Sequence, residues 1–240
     1  MSPDGTAILE YLRQVVVERQ GRTQDAALAL RTKAVKDYQH RRFARTYADL
    51  MASPRYARAA RFFLDDLYGP HDFSDRDDQF ARIVPGLVRL FPHEIVGTVR
   101  SLAELHALSE TMDSRMARVL AEADIDAARY LAAWQAVGEP ASRERQIVLM
   151  LDVGRALDRY TRNPVLRHSL RLMRGPARAA GLGALQTFLE TGFDTFREMR
   201  GAADFLSTVA TRERALASAL FGGDAVALAT GPGSPLGQLP

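Results

Sequence analysis

The stretch that decides the fold is RFFLDDLYGPHDFSDRDDQFARIVPGLVRLF, residues 61–91. Apolar side chains that lead into it recur at spacings of four, three and four residues: Tyr56, Ala60, Phe63 and Leu67. At about 100° per residue, this spacing places all of them on one face of an α-helix. Gly69-Pro70 ends that helix, because proline lacks the N–H group that the next helical hydrogen bond needs. The sequence therefore predicts a core-facing helix followed by a rigid corner.

A second helix is predicted to begin near Ser74. Ser74 is followed three residues later by Asp77, a weak form of the capping box, and aspartates crowd the first turn, where the helix dipole favours negative charge. The apolar positions beyond it keep the helical period: Phe80, Ile83, Val84, Leu87 and Phe91. Pro85-Gly86 interrupts that run, so we expect either a bent helix or two short ones.

The corner carries a dense acidic cluster. Its members, against Arg76, leave a local charge near −5, six minus one: Asp65, Asp66, Asp72, Asp75, Asp77 and Asp78. One interpretation is structural, because aspartate is favoured at turns and helix starts. The other is a protein-docking patch or cation site formed by Asp72, Asp75, Arg76, Asp77 and Asp78. The cluster lacks the Asp/Asn/Gly ladder and terminal Glu of an EF-hand, which argues against a calcium loop.

A basic stretch lies earlier in the chain, between Arg31 and Arg45. Six positive residues against Asp37 give it a local charge of +5, six minus one: Arg31, Lys33, Lys36, Arg41, Arg42 and Arg45. They are spread around the predicted helix rather than along one stripe, which favours a solvated face over a groove that tracks phosphates. A third interpretation is an intramolecular clamp onto the acidic corner.

Three segments resemble a family of uncharacterised bacterial proteins: FFLDDLYGPHDFSDRDDQFARIVP, LMRGPARAAGLGALQTFLETGF and TRERALASALFGG. The similarity covers most of residues 40–223, and its most distinctive motif has the form FFLxxLYGPxDFxxRD. The resemblance implies a single all-helical domain of unknown function. It brings no catalytic or binding residues with it.

Composition places the chain among ordinary globular proteins. Its 240 residues, 47% hydrophobic and 25% charged, are enough for one domain with a substantial core. We expect residues 1–222 to form that domain and the Gly/Pro-rich segment 223–240 to be a disordered tail. The sequence contains no cysteine, which excludes disulfides and cysteine-based metal sites.

Charge and hydropathy predict a soluble, cytoplasmic protein. The net charge of +3 is carried almost entirely by arginine and is too small to predict a nucleic-acid partner. No stretch approaches the roughly 18 apolar residues of a membrane span, and the first residues do not form a basic segment followed by an apolar run. A protein partner is the remaining expectation, and the sequence does not indicate an oligomeric state.

The helical period continues along the chain and predicts an all-α bundle of about eight to ten helices with no sheet. A glycine at position 21 separates helices over residues 6–20 and 23–52, the second capped by Thr23. Residues 142–160 are apolar on nearly every side, which is typical of a helix enclosed by others. A helix after Pro176 carries Phe188 within a second apolar stripe.

One constellation suggests a metal site. His106, Glu110 and Asp113 follow at spacings of four and three, so they share one face of a predicted helix beside apolar residues. Such a group suits a divalent metal, or a histidine that acts as a general base. The alternative is a boundary histidine that is hydrogen-bonded to a nearby carboxylate.

Other polar and aromatic residues offer less. His40, in the company of Tyr38, Phe43 and Tyr47, raises the hypothesis of an axial haem ligand, although aromatic residues at helical spacing are usually core. Glu213 within an apolar stripe is expected to pair with an arginine.

These observations leave two functions open. The first is a non-enzymatic interaction or regulatory module, for which no cofactor is strongly implied. The second is a metal- or tetrapyrrole-dependent helical-bundle enzyme with its pocket near His106. A largely apolar pocket onto which several polar groups converge favours the enzyme, and a filled interior favours the module.

Overall fold

The computed structural model describes residues 2–67, 69, 73–223 and 234–240, and within these ranges the regular elements are helices, with no strand. The α-helices are α1 (Pro3–Gln24), α2 (Ala26–Thr46), α3 (Ala48–Ala52), α4 (Ala57–Arg61), α5 (Ser74–Leu90), α6 (His93–Val119), α7 (Ala127–Val137), α8 (Pro140–Tyr160), α9 (Pro164–Leu172), α10 (Arg174–Ala179), α11 (Gly183–Glu198) and α12 (Ala203–Gly222). A π-helical turn occupies Phe62–Leu67, and a 3₁₀ helix occupies Leu236–Gln238. The prediction of an all-α fold is confirmed.

The longest element, α6, is the scaffold of the bundle. It has 27 residues, and α1, α2 and α8 all pack along it. Helix α8 in turn packs against α11 and α12, so its apolar residues meet partners on several sides. Leu149 on α8 is 1% exposed, in agreement with a helix enclosed by others.

The first helix boundary differs from the prediction. Helix α1 continues through the glycine at position 21 and ends at Gln24, and Asp25 rather than Thr23 caps α2. The Asp25 carboxylate accepts a hydrogen bond from the N–H of Leu28 at 2.9 Å, which satisfies one of the free donors at the helix start. A glycine weakens a helix by about 1 kcal/mol, and packing against α6 readily offsets that cost.

The helix before the corner is wider than predicted. After α4 the chain enters the π-helical turn, in which each hydrogen bond spans one more residue than in an α-helix. Phe62, Phe63 and Leu64 are all buried, so three consecutive side chains enter the core. The predicted burial of Phe63 is confirmed, whereas the side chain of Leu67, together with Tyr68 and residues 70–72, lies outside the described residues.

Beyond the corner, α5 is one continuous helix rather than two short ones. It passes through Pro85, which removes one backbone N–H from the ladder. Pro85 lies on the exposed face, so water can reach the carbonyl that loses its partner. The preceding residue, Val84, is fully buried and holds the helix against α1 and α6.

Residues 234–240, the described part of the segment 223–240, contact the helices. Leu236 and Leu239 are 4% and 6% exposed and join the cluster around Tyr38. The carbonyl of Leu239 accepts a hydrogen bond from Arg45 at 2.8 Å. These two leucines bury apolar area against the helices. Residues 224–233 lie outside the described part of the chain.

Within the described ranges, none of the helices combines the length and the apolar character that crossing a membrane requires.

Two glycines in helices provide a test of the packing. A Cβ atom added at Gly192 would lie 2.9 Å from the ring of Phe62, whereas one added at Gly97 meets no atom within 4 Å. The Phe62 ring is itself stacked on Phe188, so it has little room to retreat. We expect Gly192→Val to lower the free energy of unfolding by about 1–3 kcal/mol. Gly97→Val should change it by a few tenths or raise it. Chemical denaturation of both variants measures the difference, and equal stability would contradict the close approach.

Candidate functional site

A cavity of about 90 Å³ lies between α1, α5, α6 and α11. Most of its wall is apolar and includes Leu12, Phe80, Leu102, Leu105, Leu185, Phe188 and Leu189. Four polar residues also line it: Arg76, Asp77, His106 and Ser109. Residues from the acidic corner and from the predicted metal constellation therefore meet at one place.

Asp77 is the hub of the polar wall. Its Oδ2 atom accepts hydrogen bonds from Nη2 of Arg19 at 2.6 Å and pairs with Nε2 of His106 at 2.8 Å. Asp77 is only 8% exposed. Burial alone would raise the pKa of its carboxyl, but the hydrogen bond from His106 and the charges of His106, Arg19 and Arg76 outweigh that effect and lower the pKa.

Arg76, which is part of the cavity wall, contacts two aromatic rings. Its guanidinium carbon lies 4.1 Å from the ring centroid of Phe73 and 4.6 Å from that of Phe188. Nη1 of Arg76 donates to the carbonyl of Asp66 at 2.8 Å, which ties α5 to the π-helical turn. Burial lowers the pKa of Arg76, and the nearby carboxylate of Asp77 counteracts this. The cation is thus fixed between two aromatic faces.

Glu110 is buried, and two cations hold it. Nη2 of Arg22 approaches it at 2.6 Å and Nζ of Lys36 at 2.5 Å, so α6 is joined to both α1 and α2. Burial acts to raise the pKa of Glu110, but the charges of Lys36 and Arg22 prevail and lower it to about 2. Ser114, one turn further along α6, accepts a second hydrogen bond from Arg22 at 3.1 Å.

The three predicted metal ligands do not come together. His106 pairs with Asp77, Glu110 with Arg22 and Lys36, and Asp113 accepts a hydrogen bond from the amide of Gln39 at 3.1 Å. Across the described residues there is no group of three or more His, Asp or Glu side chains that could hold a metal ion. The helical spacing is as expected, but neighbouring helices supply cations and an amide that take up the carboxylates.

Asp113 differs from Glu110 although both lie on α6. It is 8% exposed, and no cation forms a salt bridge with it in the described ranges. Burial raises the pKa of its carboxyl, and the nearby charge of Glu110 adds to that effect. The neutral form of Asp113 is therefore favoured relative to an ordinary aspartate.

The acidic corner divides into two parts. Arg76 and Asp77 face the interior, while Asp75 and Asp78 are exposed and Asp75 accepts a hydrogen bond from Gln79 at 3.3 Å. Asp72 lies outside the described residues. The cluster therefore does not form one continuous surface patch, and docking at Asp75 and Asp78 stays a prediction.

The basic stretch is less solvated than predicted. Lys36 turns inward to Glu110, and Arg42 turns inward to Glu213 at 2.5 Å, which is the arginine pairing expected for Glu213. Its one described ion pair with the acidic corner is between His40 and Asp65, at 3.3 Å. His40 lines neither of the two cavities described here, and Tyr38, Phe43 and Tyr47 are core residues, so the arrangement does not resemble a haem site.

A second cavity, of about 100 Å³, lies between α2, α7, α8 and α12. Arg143 and Gln146 of α8 are part of its wall, and Nη1 of Arg143 donates to Oε1 of Gln146 at 3.2 Å. The Gln146 amide donates in turn to the hydroxyl of Ser109 at 3.0 Å. Ser109 lines the first cavity, so one side-chain amide connects the walls of both.

Sequence reasoning missed Arg143 and the pairing of Asp77 with His106. A signal for Arg143 was present, because it precedes Ile147 and Met150 by four and seven residues and so shares their apolar helix face. The signal for Asp77 was similar, because Val84 follows it by seven residues, or two helical turns, and so lies on the same helix face. A charged residue on a core-facing stripe indicates a buried polar site.

The Glu110 cluster predicts an acid-dependent stability. Because the folded-state pKa lies below the ordinary value of 4.5, ionised Glu110 stabilises the fold above about pH 4.5, and this contribution is lost as the pH falls toward 2. We expect Glu110→Gln to lower the free energy of unfolding at neutral pH by about 3–5 kcal/mol. The difference from the wild type should shrink between pH 4.5 and 2, as measured by denaturation at several pH values. Glu144→Gln, which removes a carboxylate from an exposed pair with Arg214, is the control. An unchanged acid dependence in Glu110→Gln would contradict the assignment.

Comparison with known proteins gives one match. The model of the family described as Domain of unknown function (DUF8198) matches residues 18–227. No curated protein and no solved structure shows a significant match to the chain. The matched range runs from the last turns of α1 through α12 and contains both cavities except for Leu12. The chain therefore belongs to the family Domain of unknown function (DUF8198).

Proposed function

We propose that this protein is a non-catalytic, ligand-binding regulatory module that takes up a small, mainly apolar molecule with one neutral polar head. The observation that carries the proposal is the first cavity, in which Arg76, Asp77, His106 and Ser109 converge within an otherwise apolar wall. Cavities with apolar walls and a few convergent polar groups are typical of small-molecule sites. The apolar wall favours the body of the ligand, and the polar residues fix its orientation.

The charges of the cavity favour a neutral head group. Asp77 is paired with Arg19, and Arg76 interacts electrostatically with both Asp66 and Asp77. Neither sign of charge is left in clear excess. In the neutral form of His106 that carries its proton on Nε2, the ring donates to Asp77 and its Nδ1 atom is an acceptor, while Arg76 is a donor. A hydroxyl group both donates and accepts, so it suits this pair of neighbours.

The size of the cavity limits how much of a ligand it encloses. A closed apolar cavity of about 150 Å³ accommodates benzene, and this one measures about 90 Å³. The polar head and the first part of the body fit inside, and the remainder extends toward solvent. Leu189 lines the cavity and is 38% exposed, so it lies where such a ligand would emerge.

The position of α5 supports a regulatory role. Its inner face supplies Arg76 and Asp77 to the cavity, and its outer face carries the exposed Asp75 and Asp78. A ligand that contacts the inner face acts on the same helix that would meet a protein partner. Coupling between the two requires only that the ligand bind one arrangement of α5 more tightly than another.

A second candidate function is acid–base catalysis without a metal. The specific observation in its favour is the hydrogen bond of 2.8 Å between Asp77 and His106, because a carboxylate that fixes an imidazole is a common arrangement for a general base. The pocket and its polar groups are the same in both candidates. They differ in whether a bound molecule is returned unchanged.

Ligand binding can be measured with simple probes. We expect phenol and cyclohexanol to raise the melting temperature by about 3–6 °C at ten times their Kd, and benzoate to be less effective. His106→Gln, which removes the imidazole from the wall, should reduce the shift and the preference for a hydroxyl. His168→Gln alters an exposed histidine and should leave both unchanged. No saturable shift with any hydroxylated probe, or an equal shift in His106→Gln, would refute the assignment. Recovery of a chemically altered probe would favour the enzyme.

The partner face can be tested separately from the core. The double substitution Asp75→Lys/Asp78→Lys changes exposed residues, so it should lower the free energy of unfolding by only about 1–2 kcal/mol, mainly because a lysine in the first turn opposes the helix dipole, while abolishing capture of a protein partner. Asp77→Lys instead places a third cation beside Arg19 and Arg76 and should destabilise the fold by several kcal/mol. Pull-down and denaturation measurements give the two readouts. Unchanged capture by the double variant would exclude this face as the contact.

A further inference from the structure

The second cavity shares no lining residue with the first and has a different chemical character. Its apolar wall includes Phe43, Ile147, Met150 and Leu216, from three different helices. Its polar residues include two arginines: Arg143, which is buried, and Arg42, which is half-buried. The question is which of these charges the protein itself neutralises.

The charge of Arg42 is neutralised. Nη1 of Arg42 contacts Oε1 of Glu213 at 2.5 Å, and the hydroxyl of Tyr47 donates to the same oxygen at 2.6 Å. The three side chains form a closed group between α2 and α12. Nε of Arg42 is buried and has no hydrogen-bond partner.

The charge of Arg143 is compensated less well. The carboxylate of Asp113 favours this charge from a distance, but burial outweighs that effect and lowers the pKa of the guanidinium. Arg143 is 6% exposed, and within the described residues it forms no salt bridge. Its guanidinium carbon lies 3.9 Å from the ring centroid of Trp134, and Nη1 donates to Gln146. Nε and Nη2 have no hydrogen-bond partner. Burial of a cation with unmade hydrogen bonds costs several kcal/mol unless a ligand supplies the acceptors.

The unpartnered atoms around this cavity are all donors. Among the described side chains, six buried polar atoms lack a partner, and four belong to residues of this wall: Nε of Arg42, Nε1 of Trp134, and Nε and Nη2 of Arg143. The remaining two are the hydroxyls of Thr46 and Thr195. A ligand that satisfies this wall must therefore accept hydrogen bonds rather than donate them.

The position of Arg143 in its helix adds to the case for an anion. It lies in the first turn of α8, where the helix dipole disfavours a positive charge. Arg42 and Glu213 line the same cavity and neutralise each other, so the positive charge that remains on this wall is that of Arg143. An anion placed against Arg143 would offset both the cost of burying its charge and the unfavourable interaction with the helix dipole.

We propose that the cavity between α2, α7, α8 and α12 is a binding site for a small organic monocarboxylate with a short apolar body. The carboxylate lies against Arg143, whose fork of N–H groups matches its two oxygens, and the body packs on Phe43, Ile147 and Met150. The apolar wall distinguishes such a ligand from an inorganic anion. With about 100 Å³ of space, less than the roughly 150 Å³ that holds benzene, acids of about three to five carbons fit.

The only tryptophan of the chain provides the measurement. Trp134 lies against Arg143, so a carboxylate at this position should change its fluorescence. We expect butyrate to give a saturable change and a raised melting temperature, and butyramide and 1-butanol, which lack the charge, to give neither. Sodium chloride and sodium sulfate at matched ionic strength control for an adventitious ion only.

Two variants assign the response to Arg143. Arg143→Met keeps an unbranched side chain and removes the poorly compensated charge, so it should fold at least as stably as the wild type and bind butyrate at least about tenfold more weakly. Arg143→Lys retains the charge without the fork and should also bind more weakly, which preserves the test if the methionine variant does not fold. Arg145→Met is the matched control on the same helix, where it removes an exposed arginine paired with Glu104, and should bind as the wild type does.

Three outcomes would overturn the proposal. The first is an equal response to butyramide, which would show that the cavity only collects apolar molecules. The second is an equal response to chloride or sulfate, which would show an adventitious ion only. The third is unchanged butyrate binding in Arg143→Met or Arg143→Lys. None of them depends on whether phenol or cyclohexanol binds to the first cavity, so the two proposals succeed or fail separately.

Discussion

The fold depends on one buried ionic interaction, in which Arg22 and Lys36 both form salt bridges with Glu110. It joins α1 and α2 to α6, the helix along which most of the bundle packs. Glu110 is 4% exposed, and burying its carboxylate without a counter-ion would strongly destabilise the fold. The two cations compensate this charge and hold the carboxylate in one position. Because the charges must meet, the rotation of α1 and α2 about their axes is fixed as well. Apolar contacts alone would tolerate small rotations and shifts of register more readily.

The same constraint positions the first cavity. Arg19 and Arg22 lie within one turn of each other on α1. Arg22 binds Glu110 on α6, and Arg19 binds Asp77 on α5. His106 lies one turn before Glu110 on α6 and meets Asp77 from the other side. A ladder of alternating charges thus runs between α1, α5 and α6, and its end forms the polar wall. The proposed ligand site is a continuation of the network that holds the bundle together.

The sequence allowed the helices and their inward faces to be predicted because burial at a period near 3.6 is a local signal. Phe63 and Leu149 are buried as expected, and the all-helical fold needed no tertiary information. The π-helical turn and the cap at Asp25 were not predictable in this way, because each depends on which of several close alternatives packs better. Packing is a property of the assembled bundle, so residue spacing does not encode it directly.

The candidate sites show the same limit. Asp77 and His106 both attracted attention, but in separate clusters, because they are separated by 29 positions in the sequence. Helical spacing grouped His106 with Glu110 and Asp113, and the partners that neutralise Glu110 come from α1 and α2. Arg143 resembled one more surface arginine among many until its surroundings were known. Its position on an apolar helix face was the available indication.

The side-chain amide of Gln146 lies between the two cavities and has one preferred orientation. Its oxygen accepts from Arg143 on one side, and its nitrogen donates to Ser109 on the other. Rotating the amide by 180° would place its NH₂ group against the N–H groups of Arg143, and two donors cannot form a hydrogen bond. The amide therefore keeps its orientation as long as Arg143 donates to it. A molecule that binds the guanidinium of Arg143 and moves it away from Gln146 would remove the hydrogen bond to the amide oxygen. The amide of Gln146 could then rotate, and the hydroxyl of Ser109 in the first cavity would face either its nitrogen or its oxygen.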